Sequence, residues 1–265
     1  MKNRILSQLP EAYPWKQQFH WFDSIGSTND EAKRLALAGA PHGTVLVAGY
    51  QTNGHGRLGR SFHSPENVGV YMTVLLRPEC RPQELMHLTC ATAVAMCDAV
   101  EKAAGFRPGI KWTNDLVDRK RKLGGILTGL GLRPDGRVDY AIIGIGINCC
   151  QSQDDFPAEI AAIAASLAMI SGKEIDRSKV AAAMMEALWH MSNSLLTGKE
   201  AMLTQYRRDC ITLGQDIVLV RGEEKRYGTA LDIDTEGALI VRYDNGEIAA
   251  VNSGEISVRG MYGYT

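Results

Sequence analysis

Apolar and polar positions along the chain fall into two regimes. From Thr28 to Cys210, stretches with helical spacing alternate with compact apolar runs. Thr28 to Ala38 is predicted helical, with Thr28 and Glu31 as a capping box and Gly39 as its stop. Thr44 to Tyr50 is a β-branched run and reads as a strand, and Val68 to Leu76 reads as a buried one. Gln51 to Asn67 between them is polar and glycine-rich, a long loop of the kind that usually carries function. Gln83 to Ala104 is predicted as one long helix closed by Gly105 and Pro108. Ile110 to Val117 is strand-like around a turn. Leu123 to Leu132 and Val138 to Ile147 form a hairpin across Arg133-Pro134-Asp135-Gly136. Ile160 to Leu167, Ser178 to Leu196 (capped by Ser178) and Ala201 to Cys210 are expected helices.

From Ile211 the pattern changes to short strands between glycine turns: Ile217 to Arg221, Arg226 to Asp232, Ala238 to Tyr243 and Ile248 to Val251. The predicted fold is therefore α/β (α+β): a mixed sheet with helices over residues 1–210, then a small β-barrel over 211–265.

Composition narrows the function classes. A net charge of -1 gives no basic footprint for nucleic acid, so no DNA partner is expected. No apolar run approaches membrane-spanning length, and Met1 to Trp15 has no signal-like stretch, so a cytoplasmic protein without a membrane partner is expected. The six cysteines form no C-x-x-C pair and the six histidines no H-E-x-x-H arrangement. Cys90 and Cys97 recur at helical spacing among apolar residues, which predicts buried thiols and no structural metal.

Gly54-His55-Gly56-Arg57-Leu58-Gly59 matches G-x-G-x-x-G after a strand. A dinucleotide fold needs a helix after the last glycine, and Arg-Ser-Phe-His-Ser-Pro cannot run as one past Ser64. No G-K-[ST] occurs, so a Walker loop is absent. What the loop offers is a glycine frame holding Arg57 and Arg60, able to clamp phosphate oxygens; a solvated surface loop would look the same. Lys111-Trp112-Thr113-Asn114-Asp115 sits at a strand-to-turn junction, and Lys122 directly precedes a strand, which holds it on rigid backbone. Gly144 and Gly146 in a strand mark close approach, by a ligand or by a packed helix. Ser27-Thr28-Asn29 reads as a helix cap whose hydroxyls and amide could also bind a neutral polar group.

The order Ser27-Thr28-Asn29, Tyr50 to Arg60, Lys111 to Asp115, Arg121-Lys122-Leu123-Gly124-Gly125 and Gly144-Ile145-Gly146-Ile147-Asn148 resembles the biotin–protein ligase family over about residues 20–260. That resemblance implies an ATP-dependent ligase that makes biotinyl-5′-AMP and passes biotin to a lysine of a biotin carboxyl carrier protein. It implies biotin contacts from Ser27, Thr28, Asn29, Gln51, Gly54, His55, Gly56, Arg57 and Lys122. It implies nucleotide contacts from Arg57, Arg60, Phe62, Lys111, Asn114, Asp115 and Asn148. Lys122 and Arg57 are the expected catalytic cations, and Asp115 the expected aid to Mg2+. Gly254-Glu255-Ile256-Ser257 resembles the last strand of the family's SH3-like barrel. Three positions depart from the pattern: His55 where arginine or glutamine is usual, Thr113 for proline, and Phe62 for a frequent tryptophan. Only 26 residues precede Ser27, so the short type without a winged helix is expected. Some members dimerise by extending the central sheet, which makes a homodimer a candidate state. The nearest rival is an octanoyl or lipoyl ligase or transferase; a biotin-sensing regulator and a nicotinamide oxidoreductase are further ones.

Overall fold

A computed structural model of the protein describes residues 1–252 and the backbone of 257–260. The larger sheet is built from β1 (Phe19–Phe22), β2 (Thr44–Ala48), β3 (Gly69–Leu76), β4 (Gly109–Lys111), β5 (Asp115–Asp118), β6 (Arg121–Leu132) and β7 (Val138–Asn148), in the spatial order β1-β2-β3-β7-β6-β5-β4. Only the β1–β2 pair is parallel. The hairpin predicted from Leu123 to Ile147 is the β6–β7 ladder.

The central strands read as unbroken apolar runs because both faces are covered. On one face α3 (Leu88–Ala104) and α6 (Arg177–Ser194) pack with β3 and β6, the alanines of both helices letting the backbones approach closely. On the other face α2 (Thr28–Leu37) sets Ala32 and Ala36 against Leu46, Leu75, Tyr140 and Ile142. The short α1 (Lys2–Leu6) and β1 had no clear pattern of their own; Ile5, Tyr13, Trp15 and Phe19 nonetheless join the main core. All six cysteines are free thiols, and five are buried.

Several local expectations are corrected. The N-cap of α2 is Ser27, and Thr28 makes no capping box: its N–H and hydroxyl both donate to Gln51 Oε1, while Glu31 binds Arg34. Asp176, not Ser178, caps α6, accepting from Ser178 N at 2.9 Å. The helix predicted from Gln83 begins at Leu88 after a short 3-10 turn. The helix predicted over Ile160 to Leu167 is interrupted. Helical residues Ala158–Ala161 form α4 and Leu167–Ser171 form α5, and between them the chain runs beside β6. Lys122 N donates to Ile163 O at 2.7 Å and Ala165 N to Lys122 O at 2.9 Å. Those bonds occupy backbone groups that a continuous helix would have needed.

After α7 (Lys199–Asp209) the chain forms a five-stranded antiparallel sheet from β8 (Asp216–Arg221), β9 (Glu224–Ile233), β10 (Leu239–Tyr243), β11 (Ile248–Val251) and β12 (Ser257–Gly260), ordered β11-β10-β9-β8-β12. Gly222, Gly237 and Gly246 take positive φ at the turns where the sequence placed them. Gly254, Glu255 and Ile256, expected in the last strand, lie outside the described residues. The sheet touches the larger one at a specific place. Trp112 Nε1 donates to Gly237 O at 3.1 Å, and Thr212 Oγ1 accepts from Trp112 N at 2.9 Å.

Candidate active site

The N-terminus of α2, the long loop after β2, the β4–β5 turn, β6, β7 and the segment from Phe156 to Ala164 enclose a cavity of about 680 Å³. Every residue expected to contact biotin or nucleotide lines it except Gly54. Gly54 acts from outside. A Cβ there would lie 2.6 Å from Phe62 O and 2.7 Å from Ser64 Oγ, so the glycine lets the two arms of the loop close on each other. Phe62 N donates to Gly54 O at 2.8 Å and Gly56 N to Arg60 O at 2.7 Å, making the loop a small hairpin whose tip carries Arg57. His55 Nε2 is 2.8 Å from Asp30 Oδ2, tying that hairpin to α2.

One end of the cavity is neutral and polar. Gln51 Oε1 accepts from Thr28 N and Thr28 Oγ1, both at 2.9 Å, and Gln51 Nε2 donates to Ser64 Oγ at 3.0 Å. Thr73 Oγ1 on β3 lies 2.8 Å from Thr28 Oγ1 and 2.6 Å from Asn29 Oδ1. The strand glycines resolve a choice the sequence left open. A Cβ on Gly144 would lie 2.1 Å from the Asn29 amide, and one on Gly146 would lie 2.3 Å from the Phe62 ring. Both glycines admit protein side chains that form the cavity floor. Phe62 rests there edge-on to Tyr71, with ring centroids 6.4 Å apart.

The other end is cationic. Lys122 Nζ donates to Asp115 Oδ1 at 2.6 Å, and Arg57 Nη1 to Asn114 Oδ1 at 2.9 Å. Asn114 is itself fixed: Nδ2 donates to Ile126 O at 2.9 Å. Burial lowers the proton affinity of Arg57, and the nearby Asp115 carboxylate opposes this. Lys111 is buried in the same wall. Asn148 serves the frame: its Nδ2 donates to Ala165 O at 3.1 Å, holding the segment that pairs with Lys122.

Sequence reading missed two sets of residues. Thr73 is fully buried, and its signal was a lone threonine in the apolar run Gly69–Leu76. Phe156, Ile160 and Ile163 line the cavity with apolar side chains from the segment that runs beside Lys122, and no periodicity pointed there because that segment is irregular.

This arrangement has counterparts. Residues 21–148 match the biotin/lipoate A/B protein ligase family and residues 212–259 the biotin protein ligase C terminal domain. The bifunctional ligase/repressor BirA of Bacillus spizizenii is 37% identical over 243 residues, 91% of this chain and 74% of that protein. The chain belongs to the biotin–protein ligase family. The biotin–[acetyl-CoA-carboxylase] ligase of Mycobacterium tuberculosis is 29% identical over 87% of this chain and 85% of its own length. The biotin protein ligase of Aquifex aeolicus, solved with biotin and ATP, superposes with a TM-score of 0.75 at 30% identity, covering 91% of this chain and 98% of that one. As in any enzyme, what this ligase can do rests on which side chains reach the cavity. The nicotinamide reading falls: the loop after β2 leads to an antiparallel strand, β3, with only the three-residue 3-10 turn Arg57–Gly59 between and no α-helix to hold a pyrophosphate.

Proposed function

We propose that this ligase joins biotin to ATP in the cavity, as biotinyl-5′-AMP, and then transfers biotin to a lysine of a biotin carboxyl carrier domain. The observation that carries the reading is the union of two chemistries in one cavity: Thr28, Asn29 and Gln51 at a neutral end, Arg57, Lys111 and Lys122 at a cationic end. A ureido ring is neutral and polar, and amides and hydroxyls match it without burying an unpaired charge. The acid's carboxylate and the nucleotide's α-phosphate are both anionic, so cations must bring them together.

The carboxylate oxygen attacks the α-phosphorus and the bond to pyrophosphate breaks. Lys122 and Arg57 stabilise the charge gathering on the phosphoryl oxygens. Asp115 holds Lys122 in place before substrates arrive. Phe156, Ile160 and Ile163 keep water from the mixed anhydride. In the second step a neutral lysine amine of the carrier attacks the acyl carbon and AMP leaves. Arg60, Phe62, Asn114 and Asn148 line the nucleotide side of this reading, and Ser27, His55 and Gly56 the biotin side, with Gly54 shaping the loop.

Among the described residues, Asp115 is the only carboxylate of the cavity lining. Among the described residues no cluster of three or more His, Cys, Asp or Glu could cage a metal. That donor set fits Mg2+ carried mainly by phosphates with one protein carboxylate. Bound there, the ion supplies charge neutralisation for the departing pyrophosphate.

The test incubates the protein with ATP, biotin and a carrier domain and maps the labelled lysine by mass spectrometry. Biotin-dependent exchange of pyrophosphate into ATP is expected, with none from octanoate or lipoate. Exchange driven by lipoate in place of biotin would transfer the assignment to the lipoyl branch.

A further inference from the structure

One proton arrangement fills every close contact around Thr73. Thr28 N is a backbone donor 2.9 Å from the Gln51 side chain, so the Gln51 atom it meets is the oxygen. Three further close contacts then run in series. Thr28 Oγ1 is 2.9 Å from Gln51 Oε1, Thr73 Oγ1 is 2.8 Å from Thr28 Oγ1, and Thr73 Oγ1 is 2.6 Å from the near atom of the Asn29 amide, at the Oδ1 position. Two hydroxyls bring two protons to these three contacts. The Thr28 proton goes to Gln51 Oε1 and the Thr73 proton to Thr28 Oγ1. The third proton has to come from Asn29, so the amide atom near Thr73 is Nδ2. Heavy-atom positions alone do not distinguish the two ends of an amide; the hydrogen-bond network assigns them.

We infer that Thr73 is a positioning residue that sets the polarity of the binding site: it holds the Asn29 Nδ2 on the protein side and turns the Asn29 carbonyl oxygen to the cavity as an acceptor. The amide cannot turn freely, because it lies against β7 where Gly144 leaves just enough room. Asn29 lines the cavity, and among the described residues its side-chain amide hydrogen-bonds only with Thr73. The site thus selects a ligand head group with an N–H donor, such as a cyclic urea, over acids whose tails carry none. Thr73 does this from a fully buried position on β3, without lining the cavity itself.

This inference rests on the biotin reading and is tested with it. ATP–pyrophosphate exchange is measured for the wild type, Thr73→Val and Thr73→Ser. The acids are biotin and its two ureido N-methyl derivatives. Thr73→Val keeps the shape and removes the proton relay. It should raise the KM for biotin by about tenfold and leave the KM for ATP unchanged. The wild type should reject one N-methyl derivative far more than the other, and Thr73→Val should lose most of that difference. Thr73→Ser should restore both within about threefold. A Thr73→Val enzyme with the wild-type KM and the wild-type rejection overturns the inference, as does an equal rise in the KM for ATP or a failure of Thr73→Ser to rescue. If the wild type shows no biotin-dependent exchange, the proposed function falls and this inference with it.

Discussion

Lys122 and Asp115 form an ion pair across the β5–β6 ladder, Nζ to Oδ1 at 2.6 Å, with both side chains mostly buried. A Cβ on Gly125 would touch Lys122 Nζ at 3.3 Å and Asp115 Oδ1 at 3.6 Å, so the glycine leaves the pair its place. The lysine is thereby extended before any phosphate arrives. Lys122→Ala should lower pyrophosphate exchange at least about 100-fold with the thermal midpoint nearly unchanged. Asp115→Asn removes the carboxylate charge, leaves Lys122 cationic but less firmly held, and should cost about tenfold. Near wild-type exchange in Lys122→Ala would falsify the catalytic role.

The two strand glycines should fail differently. Gly144→Ala puts a methyl 2.1 Å from the Asn29 amide, and Gly146→Ala puts one 2.3 Å from the Phe62 ring. Overpacking of this kind costs about 1–3 kcal/mol. Gly144→Ala should raise the KM for biotin with little change for ATP. Gly146→Ala should lift the hairpin of residues 54–62 and speed adenylate release. Stopped-flow release of biotinyl-5′-AMP and protease sensitivity of that hairpin separate the two. Identical effects from both substitutions would contradict the division of the cavity floor.

His87 predicts an acid limit to stability. It is buried at the start of α3, with Nε2 2.9 Å from Leu195 O and Nδ1 without a hydrogen-bond partner. Burial depresses its proton affinity; the Leu195 carbonyl and Glu236 oppose this, and Lys199 adds to it. The unfolded chain therefore takes up a proton that the folded one refuses. The stabilisation is complete above the unfolded value of about 6.5 and is lost as pH falls below it, by up to ~1.4 kcal/mol per pH unit. His42 is depressed by burial too and acts in the same direction. Urea midpoints at pH 7.5 and 5.5 should converge in His87→Gln relative to the wild type. An unchanged difference would clear His87.

His55 should serve as a tether and not as a phosphate ligand. Its Nε2 meets Asp30 Oδ2 at 2.8 Å at the rim of the cavity, which directs the ring to α2. Adenylate release from the wild type and from His55→Gln should follow the same pH profile. Tighter retention at low pH in the wild type alone would show His55 delivering charge to the phosphate. Asp30→Asn should weaken the tether and loosen the hairpin, read as faster amide exchange from Gly54 to Phe62.

The site was legible wherever its residues act within one short stretch. Lys122 at a strand start and Arg57 in a glycine frame each announce themselves locally, and both line the cavity. What could not be read depends on partners far along the chain. Arg121 Nε reaches Ala164 O across 43 residues, and the Ile160 to Leu167 segment gives up its helix to lie beside Lys122. The Thr28–Gln51 contact spans 23 residues and displaces a capping box that the local sequence favours. Gly144 and Gly146 declared that something comes close. Only the three-dimensional arrangement says that it is Asn29 and Phe62.

The anchoring of Trp112 also imposes an order in time. The indole N–H waits for a carbonyl 125 residues further along the chain. At ribosomal speeds of about 5–20 residues per second, that is roughly 6–25 s after the tryptophan is made. During that interval Arg57 and Lys122 already exist while the wall beside them is unseated. The stretch of cavity wall at Trp112 is therefore the last to be anchored, by the turn between β9 and β10.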